Sequence, residues 1–115
     1  MGGKNPVIVF DDCNYDEMMN SLLKSSFLNQ GQICLAGSRI YVHKKIYEKF
    51  KDDFISRVKK LKIGDPFDSS IDQGAIVSIE HLNKISKYVG HAIEEGGEIL
   101  VGGNIPKING GCASG

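Results

Sequence analysis

The fold class of this chain is decided by Val7-Ile8-Val9-Phe10, a continuous apolar run with Asn-Pro before it and Asp-Asp after it. A run of this kind is typical of a strand that is buried on both faces of a parallel sheet. The same reasoning predicts a second strand at Ser38–Val42, a short extended piece at Ala75–Val77 and a last strand at Glu98–Val101.

Three segments between the predicted strands carry apolar residues at helical spacing: 14–28, 45–61 and 78–95. The first helix is expected to be capped by Asn14, with Glu17 three residues later, and the third by Ser78. The second helix is expected to end at Gly64-Asp65-Pro66. We expect Met19 in the core, and a buried stripe on the third helix formed by Leu82, Ile85, Val89 and Ile93. The alternation predicts an α/β fold, a mostly parallel sheet with flanking helices.

Composition excludes several classes of partner. Fourteen basic and fourteen acidic residues cancel and are scattered, which argues against nucleic acid as a partner. No apolar run approaches the ~20 residues that cross a bilayer, so no membrane partner is expected. The three histidines show no spacing typical of a metal site, and three cysteines without a signal segment favour reduced thiols. We expect a cytoplasmic protein, with an organelle matrix as the alternative.

One stretch carries chemistry, residues 27–39, with the sequence Phe-Leu-Asn-Gln-Gly-Gln-Ile-Cys-Leu-Ala-Gly-Ser-Arg. It places Cys34 in a glycine-containing turn between a helix and a strand. Glycine lets backbone approach a ligand closely, and the open ends of parallel strands are where α/β sheets bind substrates. A thiol there could act as a nucleophile if its surroundings favoured the thiolate. A cysteine among apolar neighbours is more commonly a small core residue, and the residues alone leave both roles open. Cys13 and Cys112 have less support as functional thiols.

Residues 27–39 resemble the active-site cysteine motif of the aldehyde dehydrogenase superfamily, in which a Gly-Gln-x-Cys core follows Phe-x-Asn-Gln. Met1–Pro6 is similar to the tail of a second family motif, Glu-Leu-Gly-Gly-Lys, at the family's spacing from the cysteine. Lys62–Pro66 and Gln73–Ala75 resemble the segment that follows it. The resemblance covers 1–103, and its details are most similar to the branch acting on semialdehydes, including the muconic type.

The resemblance implies a role for Cys34 as the catalytic nucleophile, which attacks an aldehyde to form a thiohemiacetal and then a thioester. The backbone N–H of Cys34 would be one oxyanion donor, and an upstream asparagine side chain the other. Hydride would pass to NAD or NADP, with Gly2 beside the nicotinamide as a cofactor-binding residue. A glutamate would activate the hydrolytic water. The parent enzyme would take an aldehyde substrate and form a homo-oligomer.

Four other residues of the motif have structural or orienting roles by the same reasoning. Asn29, Gln30 and Gln32 could orient the loop through side-chain to backbone hydrogen bonds, although helix capping is the better explanation for Asn29. Arg39 resembles the arginine that closes the motif, and we expect it to be an ion-pair partner rather than a substrate ligand.

We expect residues 1–115 to form a partial catalytic domain, truncated at both ends and without the cofactor-binding domain. No phosphate-binding loop follows a strand, and the family's glutamate would come immediately before position 1. The isolated chain should therefore bind no cofactor tightly and show no aldehyde-dependent reduction of NAD. The alternative function is a non-catalytic α/β module or interaction fragment.

Overall fold

A computed structural model describes residues 3–106 of the chain. The chain divides between Val58 and Lys59 into two compact units. The first unit contains strand β1 (Pro6–Val9), helix α1 (Tyr15–Phe27), strand β2 (Arg39–Val42) and helix α2 (Tyr47–Val58), with short 3₁₀ turns at Leu28–Gly31 and Lys44–Ile46. The second unit contains one long helix, α3 (Ile79–Glu94).

The two strands of the first unit pair in parallel, with α1 in the connection between them. Their register places Pro6 opposite Arg39 and Val9 opposite Val42. Two parallel strands need a long crossover, which a helix such as α1 supplies. The predicted α/β fold class, with a parallel sheet and flanking helices, is confirmed.

The core of the first unit lies against one face of this sheet. Its buried side chains come from β1, α1 and α2, namely Val9, Met19, Leu22 and Phe50. Met19 has no exposed surface, which confirms its predicted place in the core. The prediction that β1 is buried on both faces is wrong, because Ile8 is 63% exposed. Among the described residues, the buried cluster packs on the side of the sheet that carries Val7 and Val9.

Two of the predicted helix boundaries need correction. Asn14 occupies the N-cap position of α1, but its side chain makes no capping hydrogen bond. The side-chain amide instead donates to Glu17 Oε2 at 3.2 Å, so the two side chains pair with each other rather than with the backbone. Helix α2 ends at Val58, three residues before the predicted end at 61.

Helix α3 begins and ends as its sequence predicts. Ser78 Oγ accepts a hydrogen bond from the backbone N–H of His81, so the predicted cap is confirmed. At the other end, the N–H of Gly96 donates to the Ile93 carbonyl and that of Gly97 to the Ala92 carbonyl. This is the Schellman arrangement, which a left-handed residue such as Gly96 completes.

One strand prediction for the second unit is wrong. Glu98–Val101 forms no strand in the described chain, where this unit has one isolated parallel bridge, between Ile63 and Gln73. Ala75–Val77 was predicted only as a short extended piece, and it lies outside any helix or strand. A strand is stable only when a neighbour takes up its backbone hydrogen bonds, and the described part of this unit supplies none.

The predicted buried stripe of α3 is also absent. No residue of α3 is buried, and Ile85 and Ile93 are 37% and 53% exposed. The helical spacing was correct, but no described element of this unit covers that face. In residues 3–106, no helix has both the length and the apolar character that crossing a membrane requires.

Candidate active site around Cys34

Cys34 lies on the surface, in the connection from α1 to β2. The backbone N–H of Ala36 donates to the Ile33 carbonyl at 2.9 Å, so residues 33–36 form a tight turn. Cys34 occupies the second position of this turn and is exposed, as is the following residue, Leu35. The structure therefore favours the surface thiol over the core cysteine that the sequence had left open.

An unusual backbone segment leads into the thiol turn. Asn29 (φ 52°), Gln30 (φ 56°) and Gly31 (φ 69°) are three consecutive residues in the left-handed region. The conformation costs non-glycine residues about 1–2 kcal/mol each, so the surrounding contacts must hold it. Part of the support comes from Gln32, whose N–H donates to the Asn29 carbonyl and whose side-chain amide donates to Gln30 Oε1 at 3.1 Å.

The side chain of Asn5 fastens the thiol turn to the start of β1. Its amide nitrogen donates to the carbonyl of Cys34 at 2.6 Å and to the carbonyl of Ala36 at 3.0 Å. The Asn5 carbonyl accepts from the backbone N–H groups of Ser38 and Arg39. We call this set of four hydrogen bonds the Asn5 clamp. It holds both the turn that carries the thiol and the first residue of β2.

Gly3 packs directly under the same turn. A Cβ at Gly3 would lie 2.6 Å from the Cys34 carbonyl oxygen and 2.5 Å from the Asn5 amide nitrogen. Real Cβ atoms do not approach backbone so closely, so any side chain here would displace the turn or the clamp. Gly3 is therefore fixed by its packing against the turn, and Gly2 lies outside the described residues.

The thiol turn leaves hydrogen-bond donors beside the sulfur. Within residues 3–106, neither the N–H of Cys34 nor that of Leu35 donates a backbone hydrogen bond. Backbone N–H groups held in a fixed turn can stabilise an oxyanion because they need no reorganisation when the charge develops. An exposed thiol next to such donors is suited to attack on a carbonyl carbon.

Of the other candidate residues, Cys13 and Arg39 do not contribute a side chain to the site around Cys34. Cys13 is half-buried and packs against the core of the first unit, as a structural cysteine would. Cys112 lies outside the described residues. Arg39 makes no ion pair with any residue between 3 and 106, so its predicted ion-pair role is wrong there. Its backbone N–H serves the Asn5 clamp instead.

Sequence reasoning missed Asn5 as a residue of this site and treated Asn5-Pro6 as the approach to a strand. A signal was available in the predicted parallel pairing. Once β1 and β2 are in register, the residue before β1 must lie beside the residues before β2, which include the cysteine turn. An asparagine at that position has both a donor and an acceptor to offer.

Described residues alone do not form a cofactor or metal site. Between residues 3 and 106, no three His, Cys, Asp or Glu side chains come together as ligands for a metal ion. A dinucleotide needs free backbone N–H groups and open space at a glycine-containing turn. The glycines beside the thiol turn are already packed, since a Cβ at Gly3 would meet the Cys34 carbonyl and Asn5, one at Gly31 the Ser26 carbonyl, and one at Gly37 the Val7 side chain. The described residues therefore do not fit NAD or NADP.

The motif around Cys34 has counterparts in known proteins. A family model described as the aldehyde dehydrogenase family matches residues 1–115. The chain belongs to the aldehyde dehydrogenase family. This finding confirms the resemblance carried by residues 27–39 and by the glycine-containing start of the chain.

Curated relatives within the aldehyde dehydrogenase family share a third or more of the residues. The 2-aminomuconic semialdehyde dehydrogenase of Homo sapiens is 44% identical over 109 residues, which are 95% of this chain and 22% of that protein. The betaine aldehyde dehydrogenase of Brucella ovis is 36% identical over 110 residues, which are 96% of this chain and 23% of that protein. The chain thus spans less than a quarter of the length of these relatives.

Solved aldehyde dehydrogenase structures contain the same fold. The betaine aldehyde dehydrogenase of Staphylococcus aureus, in complex with NAD+, is 44% identical with a TM-score of 0.90, over 93% of this chain and 21% of that chain. A point mutant of the same enzyme, with NAD+ and a BME-modified cysteine, is 43% identical with a TM-score of 0.92, over 95% of this chain and 22% of that chain.

Proposed function

We propose that this chain supplies the nucleophile-bearing segment of an enzyme that oxidises an aldehyde or semialdehyde to the carboxylic acid, with NAD or NADP as the hydride acceptor. The single observation that carries the proposal is the exposed thiol of Cys34 in a clamped turn with unused backbone N–H donors. Membership of the aldehyde dehydrogenase family supports this role for the Cys34 thiol.

The step assigned to this chain is the addition of the Cys34 thiolate to the aldehyde carbon. The sulfur–carbon bond forms as the carbonyl π bond breaks, and the electron pair moves to the oxygen. The N–H groups of Cys34 and Leu35 are available to that oxygen and would hold it until a proton arrives. The product is a thiohemiacetal, whose carbon still carries the hydrogen that oxidation must remove as hydride.

Oxidation of this adduct needs an acceptor, and a nicotinamide supplies that chemistry when bound. The inference of NAD or NADP rests on relatives such as the Staphylococcus aureus enzyme in complex with NAD+. The described residues do not fit a dinucleotide, so we assign its binding to other parts of the enzyme. For the same reason we expect the isolated chain to reduce no NAD.

Support for a reactive cysteine comes from two sides. In this chain, Cys34 is exposed, whereas Cys13 packs against the core. In the family, a structure of the Staphylococcus aureus betaine aldehyde dehydrogenase carries a BME-modified cysteine. We propose Cys34 as the reactive thiol of this protein.

The substrate class we favour is a semialdehyde of the muconic type. Its support is the 44% identity to the human 2-aminomuconic semialdehyde dehydrogenase over 95% of this chain. The betaine aldehyde dehydrogenase of Staphylococcus aureus is also 44% identical, so a betaine aldehyde is the second candidate substrate. A cytoplasmic location and a homo-oligomeric enzyme belong to the same proposal.

The test is Cys34→Ser in the intact enzyme, with aldehyde-dependent NAD reduction as the readout. A hydroxyl stays protonated near neutral pH, so kcat should fall by on the order of a thousandfold or more. Cys13→Ser is the matched control and should leave kcat near that of the wild type. Mild iodoacetamide treatment followed by peptide mass spectrometry should modify Cys34 ahead of Cys13.

Near-normal turnover in Cys34→Ser, together with loss in Cys13→Ser, would show that the nucleophile is assigned to the wrong cysteine. Slow, unselective alkylation of both thiols and no turnover with any aldehyde would favour the alternative, a non-catalytic α/β module.

A further inference from the structure

The most specific contact of the thiol turn is the one made by Asn5, a residue 29 positions before Cys34 in the chain. The side-chain amide nitrogen of Asn5 donates hydrogen bonds to two backbone carbonyls of the turn, those of Cys34 and Ala36. A planar amide that donates to both fixes their relative orientation. The direction of the Cys34 carbonyl in turn fixes the peptide plane on the C-terminal side of the nucleophile.

That peptide plane also contains the N–H of Leu35, because a carbonyl and the following N–H belong to one planar unit. The Cys34 carbonyl points at Asn5, so the trans N–H of the same peptide points away from it. Within the described residues this N–H makes no backbone hydrogen bond. Asn5 thus sets the direction of a donor that it does not touch.

We infer that Asn5 is a positioning residue for the reaction of Cys34. By fixing the peptide between Cys34 and Leu35, it aims the Leu35 N–H at the position of the aldehyde oxyanion and keeps the thiol on the open side of the turn. This inference rests on the proposed function, and it adds a second backbone donor to the one the family resemblance implied.

Packing around Asn5 supports a role in direction rather than in general stability. Gly3 leaves room for the Asn5 amide only because it has no Cβ, which would lie 2.5 Å from the amide nitrogen. The residues of the buried core, Val9, Met19, Leu22 and Phe50, do not include Asn5. The backbone carbonyl of Asn5, which binds Ser38 and Arg39, is kept by any substitution of the side chain.

The experiment uses the intact enzyme with Asn5→Asp and Asn5→Ser. Asp has the shape of Asn but places a carboxylate oxygen against the two carbonyl oxygens, so the peptide should turn away. Ser keeps one hydroxyl donor. Asn83→Asp makes the same change in charge at an exposed position of α3, in the second unit, and is the control. Each variant is assayed for kcat, KM, the rate of iodoacetamide alkylation at Cys34 and the melting temperature.

We expect Asn5→Asp to lower kcat by about 10- to 100-fold, the scale of a small misplacement of reacting groups, with KM little changed. Asn5→Ser should lose less than Asn5→Asp. Alkylation should slow at Cys34 and stay unchanged at Cys13, and Asn83→Asp should match the wild type in every measurement. If Asn5 acted only on stability, its substitution would not lower kcat while leaving KM unchanged, and it would not slow alkylation at Cys34 alone.

The inference is overturned if Asn5→Asp retains wild-type kcat and Cys34 alkylation at a temperature where it is folded. It is also overturned if activity is lost only in proportion to the unfolded fraction. Should Asn5→Asp fail to fold, the same criteria apply to Asn5→Ser. Failure of the proposed function looks different, because it shows as activity that survives in Cys34→Ser, whatever the Asn5 variants do.

Discussion

The hydroxyl of Tyr15 in α1 donates a hydrogen bond of 2.8 Å to Oδ2 of Asp53 in α2. The ring of Tyr15 also lies beneath the Lys49 ammonium group, whose nitrogen is 3.8 Å from the ring centroid. Burial, and after it the hydrogen bond and charge of Asp53, raise the pKa of Tyr15 to about 12. This contact joins the two helices beside the core of the first unit.

The raised pKa of Tyr15 predicts a loss of stability at alkaline pH. The folded state holds the phenolic proton more tightly than the unfolded state, whose tyrosines titrate near pH ~10. The contribution is therefore fully present below pH ~10 and is lost as the pH rises through the folded pKa of about 12. The measurement is the free energy of unfolding against pH, with wild type falling more steeply than Tyr15→Phe above pH ~10.

At neutral pH, Tyr15→Phe should cost about 0.5–1.5 kcal/mol, because the Asp53 carboxylate loses a hydrogen bond. Tyr41→Phe is the control, since that side chain is 58% exposed on β2. Parallel pH curves for wild type and Tyr15→Phe would contradict the assignment.

Gly31 and Gly90 should respond in opposite directions to the same substitution. Gly31 has φ +69°, and a Cβ there would lie 3.2 Å from the Ser26 carbonyl oxygen, so Gly31→Ala should destabilise by about 1–2 kcal/mol. Gly90 lies inside α3 with nothing within 4 Å of a Cβ, so Gly90→Ala should stabilise by about 0.5–1 kcal/mol. The measurement is the free energy of unfolding of both variants by chemical denaturation. A change of the same sign in both would contradict the left-handed conformation of Gly31.

Ser78→Ala should lower the stability of α3. The substitution removes the acceptor of the His81 N–H, and the loss of such a cap costs about 0.5–2 kcal/mol. Ser86→Ala, at an exposed position within the same helix, is the control and should be neutral or slightly stabilising. Thermal unfolding followed by circular dichroism distinguishes the two, and equal melting temperatures would show that the cap contributes nothing.

Leu22→Ala should be among the most damaging substitutions in α1. Leu22 is 3% exposed and packs in the core of the first unit, so its truncation should cost about 2–5 kcal/mol. Lys24→Ala, two residues later and exposed, should change the free energy of unfolding by less than about 0.5 kcal/mol. A small effect at Leu22 would mean that the core does not lie where the structure places it.

The parts of the fold that sequence could predict are those with a local cause. Apolar runs at Val7–Phe10 and Ser38–Val42, separated by one helical pattern, were enough to predict a parallel pair, because such strands need a crossover. Glu98–Val101 has a similar composition but no described partner strand, and a pattern cannot show whether a partner exists. The apolar stripe of α3 is a local pattern and was predicted. Whether another element covers that stripe is not local, so its exposure could not be predicted.

Within the candidate site, the position of Cys34 in a surface turn could be predicted. The backbone conformation and hydrogen bonds that hold this turn could not. The surface turn follows from glycine and amide residues between a helix and a strand. Asn is enriched at positive φ but Gln is not, so residue preferences do not predict two such residues in succession at Asn29 and Gln30. The hydrogen bonds of Asn5 depend on a pairing register between distant segments, which no local pattern specifies.

The length of chain between Asn5 and Cys34 has a consequence for the order of folding. A peptide that contains only α1 and the cysteine turn lacks the clamp, so it cannot hold the turn in its native geometry. The loop of 29 residues must close and β1 must pair with β2 before the Asn5 amide can reach its carbonyls. Organised nucleophile geometry should thus appear late in folding, which a pulse-alkylation time course during refolding would detect as a delayed change in Cys34 reactivity.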